Sequence, residues 1–198
     1  MCKNFGFGSK TGIPFKNESP GKLRTLNNWS KTSKTYISIG QEIGITNLQL
    51  ALAYSAIANG GYLLRPHIIK DINEYSYNRE IKPIRKLFST LESNQVLESL
   101  SKVVQTGTAK NLNLNGYKIG GKTGTPQVVR IKEEEREDDL YKTKEIEDRF
   151  KDHSVFVGYA PLDNPKYIAA VIIENGGSGS AVAAPIAHKA LNFAHSLN

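Results

Sequence analysis

Two short apolar runs separated by a proline-bounded turn frame this chain: residues 154–160 (SVFVGYA) and 167–174 (YIAAVIIE) flank Pro161-Leu162-Asp163-Asn164-Pro165. Short runs rich in Val, Ile, Tyr and Phe, bounded by turn residues, read as strands. A third run, 117–131, reads as one long strand interrupted by glycines. The expectation is a three-stranded antiparallel sheet.

Three helices are expected beside it. Thr46 followed by Gln49 three residues on is a capping box, and Leu48, Leu50, Leu52, Tyr54 and Ile57 then lie among alanines up to Gly60-Gly61. That predicts a helix over 46–59, apolar nearly all round and therefore buried. Residues 91–105 place Val96, Leu97, Leu100, Val103 and Val104 on one stripe, with Ser99 and Lys102 on the other side of a surface helix. Residues 183–197, with Pro185 in the first turn, form a closing helix. The fold class is α/β (α+β), an antiparallel sheet packed with helices.

At 39% hydrophobic residues, 198 residues suffice for one core, and no run reaches the roughly 18 apolar residues of a membrane span. No charged-then-apolar signal opens the chain, and the lone Cys2 cannot form an internal disulfide. The net charge is +7, but residues 132–152 hold ten of the 19 acids and six of the 26 bases, which leaves the remainder about eleven charges basic. The stretch 132–152 is expected to be a solvated excursion, with a short helix around 143–150; a lid or partner contact is its functional alternative. No helix-turn-helix, RNP or zinc-finger spacing accompanies the basic remainder, so nucleic acid is not an expected partner.

The chemistry concentrates at Lys122-Thr123-Gly124-Thr125. A lysine ammonium can hold a substrate carboxylate and bias proton transfers between neighbouring hydroxyls, and two threonine hydroxyls can hydrogen-bond the same carboxylate. Gly124 has no side chain, so an extended peptide could lie against the strand and pair with its main chain. The Thr125 amide could then face a developing oxyanion. Lys122 and Thr125 are the catalytic candidates, and Thr123, Gly124 and Thr125 the substrate-binding ones.

The surrounding motifs resemble those of class B penicillin-binding protein transpeptidases, over nearly all 198 residues. Phe5-Gly6-Phe7-Gly8 with Thr11-Gly12-Ile13 is similar to the family's F-G-F-G…T-G-I segment. Ser38-Ile39-Gly40-Gln41-Glu42 with Ile45-Thr46-Asn47-Leu48-Gln49-Leu50-Ala51 is similar to its S-I-G-Q…T-P-L-Q-L-A segment, with Asn47 where the family often has proline. Asn59-Gly60-Gly61, Arg65-Pro66-His67-Ile68 and Thr106-Gly107-Thr108-Ala109 match further runs, the last preceding the Lys-Thr-Gly signature. Asp152-His153, Phe156 to Pro161 and Ile172 to Gly179 resemble the ending of its elongation-type branch, the penicillin-binding protein 2 group.

That resemblance implies a penicillin-binding protein/β-lactamase-like fold and a peptidoglycan D,D-transpeptidase acting on the D-Ala-D-Ala of a stem peptide and acylated by β-lactams. It implies no cofactor and no metal. It also implies a bacterial inner-membrane protein working on the periplasmic side, with elongation-complex membrane proteins as partners. In the family the nucleophile motif S-x-x-K and the S-x-N element precede F-G-F-G, so residues 1–198 are expected to be the C-terminal portion of one transpeptidase domain. The half bearing the nucleophile, and the membrane anchor, would lie upstream and be its partner. Left open are a catalytically dead wall- or partner-binding remnant, a septum-type relative and a β-lactamase-like serine hydrolase.

Three internal patterns compete for the missing elements. Ser19-Pro20-Gly21-Lys22 contains a Pro-Gly turn where the chemistry needs serine and lysine on one helical face. Ser99 and Lys102 have helical spacing but face outward, and Ser76-Tyr77-Asn78 lies in a polar segment. Histidines 153, 188 and 195 lack zinc spacing, the helical pair being seven residues apart.

Overall fold

The computed structural model describes residues 1–69, 71–72, 75–76, 81–112, 118–128 and 151–197. They form two compact units, Met1–Leu100 and Ser101–Asn198. In the first, β1 (Lys22–Leu23) pairs antiparallel with β2 (Ile43–Gly44) across α1 (Ser33–Ser38), and α2 (Asn47–Ala58) follows. Then β3 (Tyr62–Leu64) pairs with β6 (Pro83–Lys86), with the short pair β4 (Asp71–Ile72) and β5 (Tyr75–Ser76) between them. The helix α3 (Thr90–Gln105) closes this unit and opens the next.

The start of α2 follows the capping box. Thr46 Oγ1 accepts from the Gln49 amide at 3.1 Å, and Gln49 Oε1 accepts from the Thr46 amide at 3.0 Å. Gln49 is only 1% exposed, and its Nε2 donates to Ser9 O at 2.7 Å and Pro20 O at 2.8 Å. One side chain thus caps the helix and fastens the segment before it. At the other end, Gly61 adopts a φ of +103° and its amide bonds Ala56 O at 2.8 Å, a left-handed ending that residues with a Cβ resist.

This helix, expected to be buried in a complete domain and partly exposed without the upstream half, is partly exposed. Gln49, Ala53 and Ala56 are buried, whereas Leu48, Leu50, Leu52, Tyr54 and Ile57 are half-exposed. Elements of its own unit cover a single stripe, Gln49 and two alanines, and the larger apolar side chains lie to either side. In α3 the buried line is Ser93, Leu100 and Val104, with Leu97 half-buried between them. Val96, expected on that stripe, is 39% exposed.

In the second unit β7 (Gly120–Gly124), β8 (Ser154–Ala160) and β9 (Tyr167–Ile173) form an antiparallel sheet in that order. The helix α4 (Ala184–Ser196) packs on β8 and β9. The core joins Val104, Ala109, Leu112 and Ile119 to Phe156, Ala160, Ala187 and Leu191. Burial pushes the Tyr159 phenol up to about 12, and the nearby Asp163 adds to the effect.

Two boundaries differ from expectation. β7 ends at Gly124, short of the expected strand over 117–131: Pro126 has no N–H for a ladder, and its carbonyl accepts from the His153 amide at 3.0 Å. Tyr117 and residues 129–131 lie outside the described residues, as does almost all of the stretch 132–152, including the short helix expected around 143–150. The closing helix begins at Ala184, after a wide π-type turn over Gly179–Ala183.

Candidate functional site

The tetrad lies at the open side of the three-stranded sheet. Lys122, Thr123 and Gly124 pair with Val157, Phe156 and Val155 of β8, and among the described residues no strand occupies the other side of β7. Thr125 follows directly, outside the ladder and exposed. All four candidate residues are therefore consecutive on, or at the end of, an unpaired edge. Such an edge offers main-chain donors and acceptors to an extended peptide.

The glycines before the tetrad fix how deep this edge sits. A Cβ on Gly121 would lie 2.5 Å from the Phe156 ring and 2.5 Å from Val157 O, so only hydrogen fits there. Gly120 is closed off in the same way by the Tyr159 ring. The strand is thereby pressed onto β8, with Ile119, Gly120 and Gly121 buried and Lys122 exposed.

Each polar group of the tetrad has a distinct neighbour. Lys122 Nζ donates to Thr123 O at 2.8 Å, and among the described residues it forms no ion pair and meets no serine hydroxyl. Thr123 Oγ1 is 2.8 Å from Thr108 Oγ1, in the Thr106-Gly107-Thr108-Ala109 run after α3. Thr125 Oγ1 accepts from the Gly179 amide at 3.4 Å. Gly179 lies so close to the end of β7 that a Cβ there would be 2.5 Å from Gly124 O and 2.6 Å from Val155 O.

Residues to which the sequence reading gave no site role complete this corner, although Asp152, His153, Asn175 and Gly177 stood inside its quoted motifs. Ser154, wholly buried at the start of β8, donates to Ser178 O at 2.9 Å and accepts from the Ala183 amide at 3.0 Å. Its neighbour His153 accepts from the Asn175 amide through Nδ1 at 2.9 Å. Asp152 O accepts from the Gly177 amide at 2.7 Å. Thr108 stood inside a quoted motif and was legible there; Ser154 carried no signal beyond opening an apolar run.

The competing patterns have local settings of their own. Ser19 accepts from the Gly21 amide at 3.2 Å in a turn, and Lys22 begins β1, so these two share no helical face. Ser99 donates to Gln95 O of its own helix at 3.0 Å. Ser76 ends β5, and Tyr77 and Asn78 lie outside the described residues. Among the described residues no group of three His, Cys, Asp or Glu is placed to hold a metal ion, and no helix is long and apolar enough to cross a membrane.

Comparison with known proteins places this edge in context. The penicillin binding protein transpeptidase domain family matches residues 1–192. Stage V sporulation protein D of Bacillus subtilis is 36% identical over 93% of the chain and 28% of its own length. The peptidoglycan D,D-transpeptidase MrdA of Acinetobacter baumannii is also 36% identical, over 93% of the chain and 29% of its length. The crystal structure of Pseudomonas aeruginosa PBP2 in complex with WCK 5153 superposes with a TM-score of 0.78 at 30% identity, covering 99% of this chain and 42% of that one. The chain thus spans under a third of the length of these curated relatives.

Proposed function

The chain belongs to the penicillin-binding protein transpeptidase family, and we propose that it supplies the tetrad edge of a peptidoglycan D,D-transpeptidase. The observation that carries the reading is the unpaired side of β7, which presents Lys122, Thr123, Gly124 and Thr125 in succession. The stem peptide lies along that edge as an added strand, its terminal carboxylate held by Lys122, Thr123 and Thr125.

The nucleophile is a serine in a half of the domain that precedes these residues in a longer protein, a reading supported by the family order of S-x-x-K before F-G-F-G and by the local settings of Ser19, in a turn, and Ser99, bonded to its own helix. Its oxygen attacks the penultimate D-Ala carbonyl and forms an ester. The terminal D-Ala leaves as an amine that takes up a proton. An amine of a second stem peptide then attacks the ester, forms the cross-link and regenerates the serine. The Thr125 amide faces the oxyanion of both tetrahedral intermediates. β-Lactams acylate the same serine but are not passed on.

The elongation branch is favoured by the ending Glu174-Asn175-Gly176-Gly177-Ser178-Gly179, which here folds back onto Thr125. The longer protein is anchored in the inner membrane with this part in the periplasm, beside elongation-complex membrane proteins. The sporulation protein's equal identity keeps a second physiological setting for the same chemistry. Acylation by a labelled penicillin tests the reading: Lys122→Ala in the longer protein is expected to lower its rate about 10²–10³-fold, as loss of a transition-state donor does. An unchanged rate would remove the tetrad from the mechanism.

A further inference from the structure

The tetrad does not end in free solvent; it ends in a closed circuit of hydrogen bonds whose centre is Lys151-Asp152-His153-Ser154. On one side this segment holds the chain that leaves the tetrad. The His153 amide donates to Pro126 O at 3.0 Å, and the Val128 amide donates to Asp152 Oδ1 at 3.4 Å. On the other side it holds the loop after β9. Gly177 bonds Asp152 O at 2.7 Å, Asn175 Nδ2 bonds Lys151 O at 2.9 Å, and Ser154 bonds Ser178 O at 2.9 Å. That loop then returns to the tetrad through the Gly179 amide and Thr125 Oγ1.

Within this circuit His153 uses both its main chain and its ring, the first toward Pro126 and the second toward Asn175. A backbone N–H can only donate, so Nδ1 is the unprotonated nitrogen and the ring proton sits on Nε2. Asn175 has a φ of +54°, a left-handed conformation uncommon for a residue with a Cβ. Asn-Gly-Gly favours such a turn, and the acceptor at the Asn175 amide ties it to the segment that opens β8.

We infer that His153 is a positioning residue: through the ring bond to Asn175 it sets the loop 175–179, and through Gly179 it sets the hydroxyl of Thr125 against the end of β7. This rests on the reading of the tetrad as a transpeptidase edge. The ring touches no substrate. It acts by keeping Gly179 pressed against Gly124 and Val155, which fixes the direction of the Thr125 side chain. A shift on the order of 1 Å in such a group can cost about a hundredfold in rate.

The test uses three variants of the longer protein, His153→Phe, His153→Asn and Lys122→Ala, with acylation by a labelled penicillin as the rate. Phenylalanine keeps a ring and removes the acceptor, whereas asparagine places a carbonyl oxygen near the position of Nδ1. The expected result is a loss of about ten- to hundredfold for His153→Phe and recovery to within about threefold for His153→Asn. Equal losses in both, or no loss in the first, overturn the inference. If the phenylalanine variant does not fold, His153→Asn alone decides: a tenfold loss in a folded protein overturns it.

Lys122→Ala separates the two claims, because an unchanged rate there sinks the tetrad reading and says nothing against His153. A second readout needs only the 198-residue chain. With His153→Phe, amide hydrogen exchange is expected to accelerate at Asn175, Gly177 and Gly179 while Leu191 in α4 keeps its protection. Uniform acceleration, or none, would mean that the ring bond does not set this loop.

Discussion

Thr108 Oγ1 and Thr123 Oγ1 lie 2.8 Å apart, so the hydroxyl at the centre of the tetrad is oriented from the far end of α3. Either oxygen can donate, and the pair leaves one hydroxyl hydrogen to donate to a substrate carboxylate. Thr108→Val removes that partner while keeping the shape. The expected consequence is a loss in acylation rate of about three- to tenfold, corresponding to one hydrogen bond worth roughly 0.5–1.5 kcal/mol. Unfolding should shift little, because both residues are solvent-accessible. An unaltered rate would show that Thr123 needs no orientation.

Gly121 is expected to tolerate no side chain. Gly121→Ala drives a methyl against the Phe156 ring and Val157 O, both 2.5 Å from the added carbon. Overpacking of a core contact costs about 1–3 kcal/mol, read as a lower midpoint of thermal unfolding. Gly124→Ala is the control, since its added carbon would lie 3.3 Å from the Val155 side chain. The opposite order of the two effects would contradict the described register of β7 on β8.

Gln49 carries more than a helix cap. Replacing it with alanine breaks the reciprocal bond with Thr46 and strips a donor from Ser9 O and Pro20 O. The expected loss is about 2–4 kcal/mol, from a lost cap and buried carbonyls left without a partner. Gln49→Glu should be nearly as damaging at neutral pH, since a carboxylate keeps the acceptor and loses both donors. Denaturant unfolding of the three proteins distinguishes capping from fastening.

Acid should loosen the segment before β1. Desolvation works to raise the Glu18 carboxyl, but hydrogen bonds from the Thr11 hydroxyl and from the Thr11 and Gly12 amides outweigh it, with help from Lys10, and hold it below its ordinary 4.5. The folded state thus binds fewer protons than the unfolded one. The stabilisation is complete above pH 4.5 and fades as pH falls through the lowered folded value. Glu18→Gln is expected to flatten that acid limb of the stability profile; an identical limb in both proteins would remove Glu18 as its source.

Much of this architecture was readable before any coordinates. The capping pair Thr46 and Gln49 set the start of α2, and the apolar runs at 154–160 and 167–174 gave β8 and β9, the latter ending one residue earlier at Ile173, because β-branched and aromatic side chains recur between turn residues. The order of the tetrad along a strand was likewise legible. Hidden were the contacts that join segments far apart in sequence: Thr108 with Thr123, His153 with Asn175, and Gly179 with Gly124. No local pattern encodes those. The early end of β7 had a visible cause in Pro126, but its carbonyl's partner, the His153 amide, comes from another strand's start. Val96 was misplaced because the five apolar residues between 96 and 104 fit more than one helical stripe.

The most direct measurement treats the purified 198-residue chain with a fluorescent penicillin and reads intact mass, first alone and then together with the preceding half of its domain. The account predicts no adduct on the chain alone, and an adduct on the added half that depends on Lys122 of this chain. A covalent adduct on the chain alone would contradict it, because a serine within these residues would then be the working nucleophile.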